Sequence, residues 1–121
     1  MQKVFLVEDS AALRDRLNVL LINAGADIVG HASTAQNAID GILETRPDVV
    51  VLDLSLAQGS GFDVLRVVHQ AAPEIEFYML SNFAGEPYRR HAKELGAAAF
   101  FDKTNEFERV RDVIAKRAYL N

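Results

Sequence analysis

The sequence predicts a doubly wound α/β domain, because short apolar runs alternate with longer amphipathic segments along the whole chain. Five runs are continuous and apolar, as strands buried on both faces of a parallel sheet must be. They cover residues 4–7, 28–30, 49–52, 77–80 and 98–101. A helix after each run gives a (βα)5 order, with helices on both faces of a five-stranded parallel sheet. Periodicity alone does not give the order of the strands.

Apolar residues between the runs recur at helical spacing. The recurring positions are Leu13, Leu17, Leu20, Leu21 and Ala24, then Ala35, Ala38, Ile39 and Ile42, then 64–68, then Tyr88, Ala92 and Leu95, and finally Phe107, Val110 and Ile114. Gly25 and Gly96 follow two of these segments, where a left-handed cap is favoured. Pro47 and Pro73 block helix continuation, and Pro87 suits a first helical position.

Composition indicates one ordinary soluble domain. The chain has 121 residues, of which 50% are hydrophobic and 25% charged, so we expect a single core and one domain over residues 1–121. A net charge of -4 without a Lys/Arg run argues against direct binding to nucleic acid or to an anionic membrane. The absence of cysteine excludes disulfides and thiolate metal sites. The acidic N-terminal segment does not resemble a signal peptide, and we expect a cytoplasmic protein.

Polar residues that could share chemistry follow four of the five predicted strands. Glu8 and Asp9 follow the first, Asp53 the third, Ser81 the fourth and Lys103 the fifth. The carboxyl ends of parallel strands meet at one edge, so these side chains should lie together. Three carboxylates repel one another, and a cation relieves that repulsion. Oxygen ligands without nearby Cys or His favour Mg²⁺ over zinc.

A metal-bound carboxylate beside a lysine suits attack on a phosphoryl group, because two cations neutralise charge on the transferring oxygens. Asp53 is the central candidate, and Ser81 could donate a hydrogen bond to the acquired phosphate. The loop 55–60 and the glycines Gly59 and Gly61 would leave room for a donor.

Each of these residues also has an ordinary interpretation. Asp9 or Ser10 could cap the first helix, and Ser81 could belong to a turn. Lys103 could be a solvated lysine and Phe100 a core residue. The joint occurrence at four strand ends favours the functional interpretation.

The segments VFLVEDS, VVVLDLSLAQGSGFDVL, MLSN and AAFFDK carry these residues. In their order and spacing they resemble the receiver domains of two-component response regulators, in the single-domain, CheY-like form. The resemblance covers essentially the whole chain and implies a flavodoxin-like fold with strand order 2-1-3-4-5. It also implies a signalling domain and not a turnover enzyme.

The resemblance further implies roles for the strand-end residues. Glu8, Asp9, Asp53 and the main-chain carbonyl of Ser55 would hold Mg²⁺. Asp53 would be the phosphoacceptor, with a sensor histidine kinase or a histidine phosphotransfer protein as donor. Lys103 would pair with the phosphoryl group.

A switch is implied by the same resemblance. Phosphate on Asp53 would draw the Ser81 hydroxyl inward, and the Phe100 ring would move into the vacated space. The surface of the fourth helix, fifth strand and fifth helix would change and bind an unidentified target. Ser55 and Phe83 would flank the path of hydrolytic water, and we expect the bulk of Phe83 to slow hydrolysis.

Two departures from the family pattern are visible. Thr104 stands where many receivers have proline after the lysine, and a cis bond before a non-proline residue costs about 3 kcal/mol, so we predict a trans bond. Glu8 stands where aspartate is more usual, and its longer side chain extends the reach of the carboxylate.

Three other functions compete with this interpretation. A haloacid dehalogenase-type phosphatase needs Asp-x-Asp, but the second residue after Asp53 is Ser55. A flavodoxin-type cofactor binder needs a phosphate cradle after the first strand, and that turn is acidic here. A receiver-like interaction module that takes no phosphate is disfavoured by the intact Asp53 and Lys103.

Overall fold

Strands and helices alternate along the chain in the expected (βα)5 order. The structure, a computed structural model, describes residues 1–120. The strands are β1 Gln2–Val7, β2 Ala26–Ala32, β3 Val49–Leu52, β4 Glu76–Ser81 and β5 Ala99–Asp102. The helices are α1 Ala11–Asn23, α2 Ala35–Thr45, α3 Gly61–Ala71, α4 Glu86–Glu94 and α5 Arg109–Leu120. The strands form one parallel sheet in the order β2-β1-β3-β4-β5, which confirms the order that the resemblance implied.

Two hydrophobic cores lie on opposite faces of this sheet. Along β3, Val50 and Leu52 belong to one core, and Val49 and Val51 belong to the other. Residues of α2, α3 and α4 complete the first core, and residues of α1 and α5 complete the second. Burial on both faces explains why the strands are continuous apolar runs instead of alternating ones.

The helix ends are fixed mainly by local signals. The side chains of Ser10, Thr34 and Ser60 accept hydrogen bonds from the first turns of α1, α2 and α3. Ser10, and not Asp9, therefore caps α1. Gly25 and Gly96 have φ values of +89° and +106°, as their predicted positions after helices require.

The start of α5 differs from the prediction. The apolar spacing predicts that Phe107 belongs to the final helix, but it lies in a turn before Arg109, where the helix begins. The amide of Glu106 donates to the carbonyl of Asp102 at 2.8 Å, so the chain forms a turn there before the helix starts. Phe107 still packs against the core shared by α1 and α5.

Replacing Gly96 with alanine is expected to destabilise the fold by about 1–3 kcal/mol. Its positive φ is unfavourable for alanine, and the new Cβ would lie 2.6 Å from Nε2 of His69. Urea unfolding measures the loss. Gly25→Ala is the matched control, because that position also has positive φ but nothing lies within 4 Å of the added Cβ. Equal losses in the two variants would contradict a contribution from the His69 contact.

Candidate functional site

The carboxyl end of β1 places two acidic side chains side by side. Glu8 is buried, with only 3% of its side chain exposed, and Asp9 is exposed. The amide of Glu8 donates to the carbonyl of Ala32 in β2 at 3.0 Å, which continues the parallel ladder beyond the strand. The amide of Ser10 donates to Oε2 of Glu8 at 3.0 Å, so the start of α1 orients this carboxylate.

Asp53 directly follows β3 in the centre of the sheet. Its amide donates to the carbonyl of Val7 at 3.0 Å, which ties it to the end of β1. The residue is 5% exposed. The amide of Ser55 lies 3.4 Å from Oδ1, a long hydrogen bond that helps orient the carboxylate. The central carboxylate is therefore held between two neighbouring strand ends.

The glycines before and at the start of α3 lie close to other segments of the chain. A Cβ on Gly61 would lie 2.1 Å from the carbonyl oxygen of Asp53, and one on Gly59 would lie 2.6 Å from Cβ of Ala35. These positions therefore allow close approach of protein segments, and no donor space is needed to explain them. Gly61 lets the first residue of α3 lie directly against the Asp53 backbone.

Lys103 joins the two buried carboxylates. Its Nζ lies 2.6 Å from Oδ2 of Asp53 and 2.7 Å from Oε1 of Glu8, and its side chain is 11% exposed. Its amide donates to the carbonyl of Ser81 at 3.1 Å, so the end of β5 is fixed to the end of β4. The Lys103–Thr104 peptide bond is trans, as predicted, since no cis bond occurs within residues 1–120.

Burial and the neighbouring charges shift the pKa values of Lys103 and Glu8. Burial acts to lower the pKa of Lys103, but hydrogen bonds and attraction from Asp53 and Glu8 outweigh it and hold that pKa above its ordinary value. Burial raises the pKa of Glu8 above its ordinary value, against the opposing effects of Lys103 and the Ser10 amide. One ammonium thus contacts two carboxylates, and for Glu8 the effect of burial on the pKa outweighs its own.

Ser81 is fully buried at the end of β4. Its Oγ accepts a hydrogen bond of 3.1 Å from the amide of Phe83, two residues further along the chain. This serine therefore organises the turn after β4 and also lines the cleft beside Asp53.

A cleft of about 410 Å³ collects most of the predicted site residues. Its lining consists of Glu8, Asp9, Ser10, Leu13, Asp53, Ser55, Ser81, Asn82, Phe83 and Lys103. Phe100 does not belong to this lining. It is partly buried, packs against the core that contains α3 and α4, and lies under the guanidinium of Arg89.

The donor set in the cleft fits a hard cation. Glu8, Asp9 and Asp53 each offer a carboxylate oxygen, and these oxygens lie within 4.8 Å of one another. Carboxylate, carbonyl and water oxygens are the ligands that Mg²⁺ prefers. Two of the three carboxylates are buried, so a second cation would relieve the charge that Lys103 leaves uncompensated.

Sequence reasoning missed one residue near this site. Arg89 on α4 contacts the loop after β4, β5 and the turn before α5. No local sequence signal distinguishes it from its exposed neighbour Arg90, because its partners are up to 17 positions away.

The fold and the cleft together define a doubly wound α/β domain with an acidic, lysine-bridged pocket at the carboxyl edge of its sheet. Comparison with known proteins identifies the class further. The sequence model of one protein family, the response regulator receiver domain, matches residues 4–115 of this chain. The chain therefore belongs to the receiver domains of two-component response regulators, a family that binds Mg²⁺ at an acidic pocket.

Individual relatives agree with this assignment. The chemotaxis protein CheY of Thermotoga maritima is 24% identical, over 95% of this chain and 96% of the relative. The DNA-binding transcriptional activator DevR/DosR of Mycobacterium tuberculosis is 32% identical over 100% of this chain, which spans 58% of that protein. A CheX–CheY–BeF3–Mg²⁺ complex from Borrelia burgdorferi has a TM-score of 0.83 at 21% identity, with 93% of this chain and 88% of that chain covered. The chain therefore spans nearly all of some relatives and between 29% and 58% of the length of others.

Replacing Lys103 with methionine is expected to raise the affinity for Mg²⁺ several-fold, equivalent to about 1 kcal/mol. The ammonium bonds two of the carboxylates that would bind the ion, so its removal takes away a competing cation. Isothermal titration with MgCl₂ measures the change. Lys116→Met, on the exposed side of α5, is the control and should titrate like the wild type. An unchanged or weaker affinity in Lys103→Met would contradict this competition.

Proposed function

We propose that Asp53 is the residue on which this receiver domain accepts a phosphoryl group. The observation that carries the proposal is the ion-paired group at the strand ends, in which Lys103 bonds Asp53 at 2.6 Å and Glu8 at 2.7 Å. Asp53 is the central carboxylate of this group, and it opens into the cleft. The donor would be a phosphohistidine of a sensor histidine kinase or of a histidine phosphotransfer protein.

Glu8, Asp9, Asp53 and the main-chain carbonyl of Ser55 would hold Mg²⁺. When bound, the ion would neutralise charge on the phosphoryl oxygens during transfer. Support for this ligand set comes from the clustering of the three carboxylates and from the position of Ser55 in the lining of the cleft.

The transfer would use residues of this chain in defined ways. An oxygen of Asp53 forms the new bond to phosphorus while the bond from phosphorus to the donor nitrogen breaks, and its electron pair stays on the imidazole. Lys103 then pairs with the acquired phosphoryl oxygens, and Ser81 donates a hydrogen bond to one of them. Water later cleaves the acyl phosphate and restores the carboxylate, so the reaction resets a signal without turning over a separate substrate.

The signal would leave through the surface formed by α4, β5 and α5. Ser81 and Lys103 sit at the ends of β4 and β5, so their contacts with phosphate would bias how these elements pack. Phe100 would respond as the aromatic switch residue. An unidentified protein would bind the altered surface, with no direct contact to nucleic acid or membrane.

Two expectations from the sequence stay predictions, namely a single domain over residues 1–121 and a cytoplasmic location. In the part of the chain that the structure describes, no helix is long and apolar enough to cross a bilayer.

Incubation with acetyl phosphate and Mg²⁺ is expected to add one phosphoryl group to the wild type, and none to Asp53→Asn, because an amide cannot form the acyl phosphate. Intact mass spectrometry measures the adduct. Asp63→Asn is the control, since this α3 carboxylate is 49% exposed and lies outside the cleft, and it should be modified like the wild type.

An adduct that persists in Asp53→Asn would overturn the assignment of the acceptor. Absence of any Mg²⁺-dependent adduct on the wild type would favour a receiver-like module that takes no phosphate. Steady hydrolysis of varied phosphate esters would favour a phosphatase.

Replacing Phe83 with alanine is expected to shorten the lifetime of the phosphorylated form about two- to fivefold. The Phe83 ring lines the cleft, is half exposed and packs 5.6 Å from the ring of Tyr88, so it limits the approach of water to Asp53. The decay of the mass adduct measures the lifetime. Phe83→Tyr keeps the ring and should decay like the wild type, and an unchanged lifetime in Phe83→Ala would contradict shielding.

A further inference from the structure

Arg89 on α4 connects three segments that end at or follow the carboxyl edge of the sheet. Its Nε donates to the carbonyl of Ala84 at 2.7 Å, in the loop after β4. Its Nη1 donates to the carbonyl of Phe100 in β5 at 3.2 Å, and its Nη2 donates to Oε1 of Glu106 at 3.0 Å, in the turn before α5. One side chain thus sets the positions of these three segments relative to α4.

The guanidinium of Arg89 also covers an aromatic ring. Its Cζ lies 5.1 Å from the centroid of the Phe100 ring, within the range of a cation–π contact. A guanidinium suits this role because its planar fork can donate to several acceptors while its face stacks on a ring. The ring therefore lies between the guanidinium of Arg89 and the core that contains α3 and α4.

Glu106 provides a firm anchor for Arg89. Its Oε1 also accepts the amide of Asp102 at 3.0 Å, and its Oε2 accepts Nη1 of Arg109 at 2.7 Å. The Asp102 amide first, and then Arg89, hold the pKa of Glu106 below its ordinary value. The carboxylate is therefore charged throughout the neutral range, and the ion pair with Arg89 persists there.

The segments that Arg89 connects also carry Ser81 and Lys103. Ser81 precedes Ala84 by three residues, and its hydroxyl is bonded to the amide of Phe83 inside the same loop. Lys103 lies between Phe100 and Glu106 in the chain. The loop that follows Ser81 is therefore held to α4 at Ala84 by Arg89.

We propose that Arg89 is a positioning residue that holds the loop after β4 against β5 and the start of α5, and so opposes the closing of Ser81 onto a phosphoryl group at Asp53. The inference rests on the proposed function, because it concerns closure around that group. Coupling between two events is reciprocal. A phosphoryl group that draws Ser81 inward would therefore also weaken the bonds of Arg89 to β5 and to the turn before α5.

The test uses beryllofluoride with Mg²⁺ as a phosphoryl analogue, titrated into the full chain by calorimetry. Arg89→Met keeps the length of the aliphatic stem and removes the guanidinium. If Arg89 opposes the closing of Ser81 onto the bound analogue, this variant binds the analogue about fivefold more tightly than the wild type. Arg109→Met is the control, because Arg109 shares Glu106 but is 67% exposed and, among the described contacts, has none with Ala84 or Phe100. Its affinity should stay at the wild-type value.

The outcomes separate the possibilities. Tighter binding by Arg89→Met, with unchanged binding by Arg109→Met, supports the inference that Arg89 opposes closing. Unchanged binding, even with a lower free energy of unfolding in urea, shows a merely structural role and overturns the inference. Weaker binding also overturns it, because Arg89 would then favour the closed site. If the wild type binds no beryllofluoride, the proposed function fails and this inference fails with it. Should Arg89→Met not fold, Arg89→Lys keeps the charge but loses the fork, and must show the same direction of change.

Discussion

The ammonium of Lys103, placed between the buried carboxylates of Glu8 and Asp53, is the interaction on which the site depends. Two carboxylates this close and this buried would oppose folding without a cation, since the cost of desolvating them is several kcal/mol each. The topology makes the arrangement possible. Strands β1, β3 and β5 end at one edge of the sheet, so residues 50 positions apart in the chain meet within hydrogen-bonding distance. One ammonium faces three clustered carboxylates, so the pocket keeps an excess of negative charge that suits a second cation.

Much of the fold and of the candidate site could be predicted from the sequence, for a physical reason. Strands buried on both faces must be continuously apolar, and the five runs therefore stand out without any alignment. The rule that ligands gather at the carboxyl ends of parallel strands then brings Glu8, Asp9, Asp53, Ser81 and Lys103 together, and the structure places all five in one cleft. The strand order could not be reached in this way and came from the family resemblance, because hydrophobic period says nothing about which strands pair.

The features that the sequence did not reveal depend on tertiary contacts. Phe107 continues an apolar spacing into α5, yet the bond between Glu106 and Asp102 keeps it in a turn. The missing side chain of Gly61 admits the carbonyl of Asp53, a contact that no local pattern indicates. From the sequence, Arg89 looks like a surface residue of an amphipathic helix. Its three hydrogen-bond acceptors lie 5, 11 and 17 positions away, so no local pattern indicates them. In each case local composition is compatible with several roles, and long-range packing selects one.

The two hydrophobic cores divide the domain into two halves that pack separately. The sheet stands as a wall between the packing of α1 and α5 on one side and that of α2, α3 and α4 on the other. Side chains in separate clusters contribute to stability nearly additively when they share no partners. Mutations that reshape one outer surface can therefore accumulate without disturbing the interior behind the other. The surface formed by α4, β5 and α5 is the exception, because it carries one helix from each face of the sheet and a change there bears on both cores.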